Sequence, residues 1–128
     1  MSDKALKACA DYARLNSEIK QLTKSIAGAL CYCKGVRGTC GIGDDGFQYG
    51  EHDDPTHLKD AFSGDVDDDG HKVWMTDMDI RAYLYENCDC CLKAYDFVLE
   101  RKAAKKSLGV VKRSIGAIGR AANKRGAQ

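Results

Sequence analysis

The chain has 128 residues, 20 Lys and Arg against 19 Asp and Glu, and a formal net charge of +1. That length fits one domain with a modest core, and no apolar run approaches the roughly 20 residues that cross a bilayer, so a membrane role is not expected. Seven cysteines are many for such a chain, and their odd number argues against a simple set of disulfides.

Met1-Ser2-Asp3-Lys4 leads into an amphipathic segment rather than the apolar core of a secretory signal. The expected compartment is therefore the cytoplasm, where clustered cysteines are more often metal ligands than disulfides. Residues 4–30 read as a helical arm. Ala8, Tyr12, Leu15, Ile19, Leu22 and Ile26 recur at alternating spacings of four and three, with Ser2 or Asp3 available as the cap. Cys9, alone on this helix, reads as a small buried hydrophobe.

Residues 31–76 are rich in glycine and acid and hold the single proline, Pro55. Asp45-Gly46 and Asp69-Gly70 are tight-turn signals. The first precedes Phe47-Gln48-Tyr49, and the second precedes His71–Thr76, which suits a strand of a short β-hairpin. One helical turn is expected around His57 to Phe62. Asp65-x-Asp67-x-Asp69-Gly70 copies the first half of a calcium-binding loop. Lys72 and Thr76 then stand where an apolar residue and a glutamate are needed, so an acidic hairpin turn is the better reading.

Thr76-Asp77-Met78-Asp79 forms a helix start, giving a short helix over 77–87. A second long arm over 88–122 carries the stripe Leu92, Tyr95, Leu99, Ala103, Leu108, Val111, Ile115, Ile118 and Ala122. Gly109, Gly116 and Gly119 weaken this helix, allow close approach of a partner helix or mark fraying. Residues 123–128 read as a disordered tail. The fold class expected is mainly α, a single domain built on an antiparallel hairpin of two long helices. Its loop-rich head carries a short β-hairpin and one short helix.

Antiparallel pairing would carry the end of the first arm and the start of the second to one place. Cys31 and Cys33 lie at one of those ends, Cys88 and Cys91 at the other. Four soft ligands at two converging helix ends suit a structural zinc, and the Cys-x-x-Cys step at a helix start stabilises thiolates. Cys40 and His57 are the substitutes, with His52 and His71 behind them. Simple burial or reversible disulfides is the alternative, and a thiol redox protein based on Cys88, Cys90 and Cys91 follows from it.

Charge is segregated. From Asp44 to Asp79 twelve acidic residues face two basic ones, Lys59 and Lys72. After Glu100 there is no acid, and nine basic residues follow. Lys102, Lys105, Lys106, Lys112, Arg113 and Arg120 are the expected binding residues, because a basic helix without acidic relief is a footprint of phosphate binding. The arm lacks an aromatic residue after Phe97, so base stacking is not encoded there. The acidic head offers an alternative, inhibition of another protein by nucleic-acid mimicry. No phosphate-binding glycine loop, serine-nucleophile motif or catalytic carboxylate pair is present, so no enzyme activity is expected.

Cys88-x-x-Cys91 followed by Glu100-Arg101-Lys102-Ala103-Ala104-Lys105-Lys106-x-Leu108-Gly109 and Lys112-Arg113-x-Ile115 resembles small uncharacterised phage and prophage proteins that join a cysteine-bearing loop region to such a helix. The resemblance covers about the last third of the chain. It implies an accessory role in a bacterial host cell, such as host takeover, gene regulation or blocking a defence system. The expected partner is nucleic acid or a host nucleoprotein or protein complex. A homodimer through the long helices is also compatible with the spacing.

Overall fold

In the computed structural model the described residues are 2–38, 40, 50 and 54–126. The apolar stripes fold as helices α1 (Asp3–Leu30) and α4 (Asp89–Gly126). Between them lie α2 (His57–Ser63), the strands β1 (Asp65–Val66) and β2 (Lys72–Val73), and α3 (Asp77–Asn87). The protein is mainly α, as its patterning requires, and α4 continues past the Ala122 at which its apolar stripe ends. No described helix is long and apolar enough to cross a membrane. The Phe47–Tyr49 strand and the Asp45-Gly46 turn lie outside the described residues.

Two compact units form, one from 1–24 with 98–128, the other from 25–97. In the first, α1 and α4 run antiparallel. Thr23 accepts a hydrogen bond from Arg101 at 3.3 Å, Leu15 and Glu18 share a surface hollow with Ala104 and Ser107, and Ser2 and Lys4 share another with Ile118 and Ala121. Ala8, Leu15, Leu22, Ala104 and Leu108 are buried along this seam. Ala104, rather than the expected Ala103, faces inward. The reason is periodicity: stepping back from Ile118 through Ile115, Val111 and Leu108 by three and four residues reaches 104. Past Leu108 the seam loosens, and Val111, Ile115 and Ile118 are only half-buried. Cys9 is exposed, a correction to its reading as a core residue; it sits one position beyond buried Ala8 and so turns off the stripe.

Among the described residues no other helix packs against the glycines of α4. A Cβ at Gly119 meets nothing within 4 Å, and at Gly109 only the far end of Arg113, at 3.9 Å. Gly119→Ala should therefore stabilise the helix by about 1 kcal/mol, seen as a higher urea midpoint with unchanged helicity.

The second unit is built on α2 packed against α3, with Leu58, Ala61, Ile80 and Leu84 buried. Thr76 caps α3 through a reciprocal box with Asp79, and Thr56 caps α2 by accepting the Lys59 N–H. The Tyr83 hydroxyl donates to Asp60 at 2.8 Å, tying α3 to α2. The Tyr95 hydroxyl donates to Asp77, and Arg81 lies over the Tyr95 ring while pairing with Asp77 and Asp96.

The strands pair antiparallel, Asp65 opposite Val73 and Val66 opposite Lys72. Their turn is the acidic one expected. Asp67 Oδ1 accepts the N–H groups of Asp69 and His71 at 3.0 and 2.8 Å, so this carboxylate is engaged in holding the turn. Gly64 ends α2 at φ 72°, ψ 179°, a region essentially confined to glycine. A Cβ there would lie 2.9 Å from both Trp74 and the Val73 carbonyl. Gly64→Ala should cost about 1–3 kcal/mol, read as a lowered unfolding midpoint of the whole chain.

Candidate metal centre

The second unit brings the chemistry together. As α1 ends, the chain unwinds through turns that close on Ala27, Ala29 and Leu30 carbonyls. This places Cys33 inward. Gly35, at φ 86°, reverses the backbone just beyond it, and the Val36 N–H then bonds the Pro55 carbonyl at 3.0 Å. The same loop is held by Arg37, which meets the nearly buried Asp54 at 3.7 Å. The start of α2 is thereby held beside Cys33, with His57 as its first residue and 4% exposed.

Cys88 separates α3 from α4 in an extended conformation, its N–H bonded to the Leu84 carbonyl at 2.7 Å. Cys91 falls in the first turn of α4 and sends its N–H to Cys88 Sγ at 3.4 Å. Both side chains are fully buried.

The ligand atoms of Cys33, His57, Cys88 and Cys91 all lie within 4.8 Å of one another and could hold a metal ion. Cys33 Sγ is 3.3 Å from His57 Nδ1. Three of the four expected cysteines meet here, with His57 in the fourth place. Cys31 does not join them: it is exposed, and its thiol bonds the Gly28 carbonyl at 3.0 Å. Two residues apart at a helix end, Cys31 and Cys33 point to opposite sides, so only one can face inward. Cys90 is likewise turned away and lines an open groove with Tyr32, Lys93 and Phe97. Cys40 is buried against the cluster, 3.8 Å from His57 Nδ1. His71 is exposed in the hairpin turn, with Asp67 and Asp69 close by. His52 lies outside the described residues.

The electrostatics favour one thiolate before any metal arrives. Burial pushes the Cys33 thiol up, but hydrogen bonds from the His57 and Gly35 backbone, the His57 ring and Cys91 outweigh it and bring the group down to about 6. The His57 N–H at the start of α2 is thus one of the groups that favour the thiolate. Cys88 is held up by donating to Cys91 and by burial. Cys40 is pushed up to about 12, burial being the largest cause. Burial and the bond to Asp60 raise Tyr83, whose ring lies 6.2 Å from that of His57. The remaining thiols would lose their protons on binding a cation.

The six basic residues expected to bind a partner are all exposed on α4, within the first unit. Lys102, Lys106, Arg113 and Arg120 follow one another at spacings of four, seven and seven, which aligns them on the face opposite Ala104 and Leu108. Lys105 and Lys112 flank that line. Among the described residues none of the six makes an ion pair. The charge follows the units. The first holds fourteen Lys and Arg against four Asp and Glu, net +10; the second holds six against fifteen, net −9.

No family model, no curated protein and no solved structure matches this chain.

Proposed function

We propose that this is a non-enzymatic binding protein in which a structural zinc at Cys33, His57, Cys88 and Cys91 closes the second unit and the basic face of α4 engages nucleic acid or a nucleoprotein complex. The observation that carries the metal half is the close quartet of three thiols and an imidazole, with His57, Cys88 and Cys91 buried and Cys33 half-buried. Those donors suit tetrahedral zinc, and all four positions are filled by protein, as in structural rather than catalytic sites. Thiolate ligation also suits a reducing compartment such as bacterial cytoplasm.

Support for the binding half is the unpaired basic line from Lys102 to Arg120 on a unit of net +10. A polyanion would release counterions from such a line, whereas a solvated helix face would ordinarily carry acids among the bases. Accessory roles of the phage type, whether takeover, regulation or anti-defence, are compatible with such a module and follow from the sequence resemblance.

A second reading has its own observation. The net −9 unit exposes Trp74, Met78 and Tyr85, a combination suited to capture of a basic protein surface. Titrating zinc-loaded protein into a labelled DNA duplex at several salt concentrations separates the two. Binding that weakens steeply with salt supports the basic face. No binding to DNA or RNA, with capture of a basic protein lost on neutralising Asp67–Asp69, would replace it by the acidic one. Mass in solution reports separately on a homodimer through the long helices.

A further inference from the structure

A fifth donor, Cys40, is buried beside the quartet of the second unit. His57 Nδ1 lies 3.3 Å from Cys33 Sγ and 3.8 Å from Cys40 Sγ. Cys40 also interacts with Cys88, a member of the quartet. A sulfur and a nitrogen sharing one tetrahedral zinc sit about 3.6 Å apart at ordinary bond lengths, and the two distances at His57 fall on either side of that. Cys40 further accepts the Lys34 N–H at 3.3 Å, the type of support that holds a ligand thiolate in place.

We propose that Cys40 is a fifth donor of this centre and takes the fourth coordination position whenever His57 leaves it. The inference rests on reading the cluster as a zinc site. Cys33, Cys88 and Cys91 are common to both forms, and only the fourth ligand changes. Charge sets the resting form. Zinc with three thiolates and an imidazole carries −1, and with four thiolates −2. Inside a unit already at net −9 the extra negative charge is disfavoured, so His57 is the resting ligand. The exchange is local, because Cys40 Sγ already lies 3.8 Å from His57 Nδ1 and interacts with Cys88. It lets the staple survive loss of the imidazole, and it leaves Cys40 as a buried thiol beside the centre that is not committed to metal at rest.

The test uses cobalt(II) in place of zinc on the full chain, since thiolate-to-cobalt and d–d bands report the ligand set. Wild type and Cys40→Ser should each bind one cobalt with the same spectrum of three thiolates and one nitrogen. His57→Ala and His57→Asn should still bind one cobalt, with the bands moved to the four-thiolate pattern. The asparagine variant keeps a polar side chain at the start of α2, should the alanine variant fold poorly. The double variant Cys40→Ser, His57→Ala should bind at least about tenfold more weakly than either single one. If both His57 variants lose cobalt as fully as the double variant, Cys40 is not a donor and the inference falls. Loss in Cys40→Ser alone, with His57→Asn unaffected, would overturn it in favour of a fixed four-cysteine site. A wild-type chain that takes up neither cobalt nor zinc would overturn the zinc reading and this inference with it.

Discussion

Cys91→Ser should abolish tight zinc binding and unfold residues 25–97. Cys91 is fully buried and lies among the other three ligands, and it is shared by both ligand sets proposed above. Metal binding to such sites contributes on the order of 10 kcal/mol, comparable with the whole stability of a small domain. Among the described residues its buried core beyond the quartet is Ile26, Cys40, Leu58, Ala61, Ile80, Leu84, Ala94 and Tyr95. Elemental analysis should fall from about one zinc per chain to none, and helical circular dichroism should fall with it. Chelation of the wild type should produce the same spectrum, reversed by adding zinc. Acid should act in the same direction, because protons compete with the metal for each ligand and affinity falls as pH falls. Full retention of structure without zinc would return the cysteines to core packing or to the thiol redox alternative.

Reversing the basic line is expected to have the second large effect. The variant Lys102→Glu, Lys106→Glu, Arg113→Glu, Arg120→Glu changes four exposed side chains and should leave zinc content and helicity intact. Each phosphate neutralised contributes a slope of about 0.9 in log affinity against log salt. Removing four contacts should therefore flatten that slope by about three to four and weaken duplex binding at low salt by about 100-fold or more. Reversal at Lys4, Lys7 and Lys20, on the other helix of the same unit, should do less, since Asp3, Asp11 and Glu18 already relieve the charge there. An unchanged slope in the α4 variant would remove this face from consideration and favour the acidic unit.

Much of the fold was legible because it depends on near-neighbour chemistry. Thr76 followed by Asp79 caps a helix wherever it occurs, and the structure has that box. Asp69-Gly70 turns the chain, and β1 and β2 pair on either side of it. The four–three rhythm of Leu15, Leu22 and Ile26 buries those residues. Errors arose where one step of phase or a choice between equals was involved. Ala103 and Ala104 are chemically identical, and only the seam distinguishes them. Cys31 and Cys33 are likewise equivalent as ligands until the unwinding of α1 turns one inward and leaves the other bonded to Gly28.

The sequence by itself determined the two long amphipathic helices, the hairpin turn, the short capped helix and the segregation of charge, since each depends on residues within a few positions of one another. It also brought Cys33 to Cys88 and Cys91, because antiparallel helices have their facing ends in common. His57 belongs to neither helix end. It reaches the thiols only because α2 packs on α3 through Leu58, Ala61, Ile80 and Leu84, and because Val36 and Arg37 hold the cysteine loop against Pro55 and Asp54. Tertiary structure alone decided the fourth member of the quartet: spacing along the chain names which groups can bind a metal, and packing between distant segments determines which of them come together.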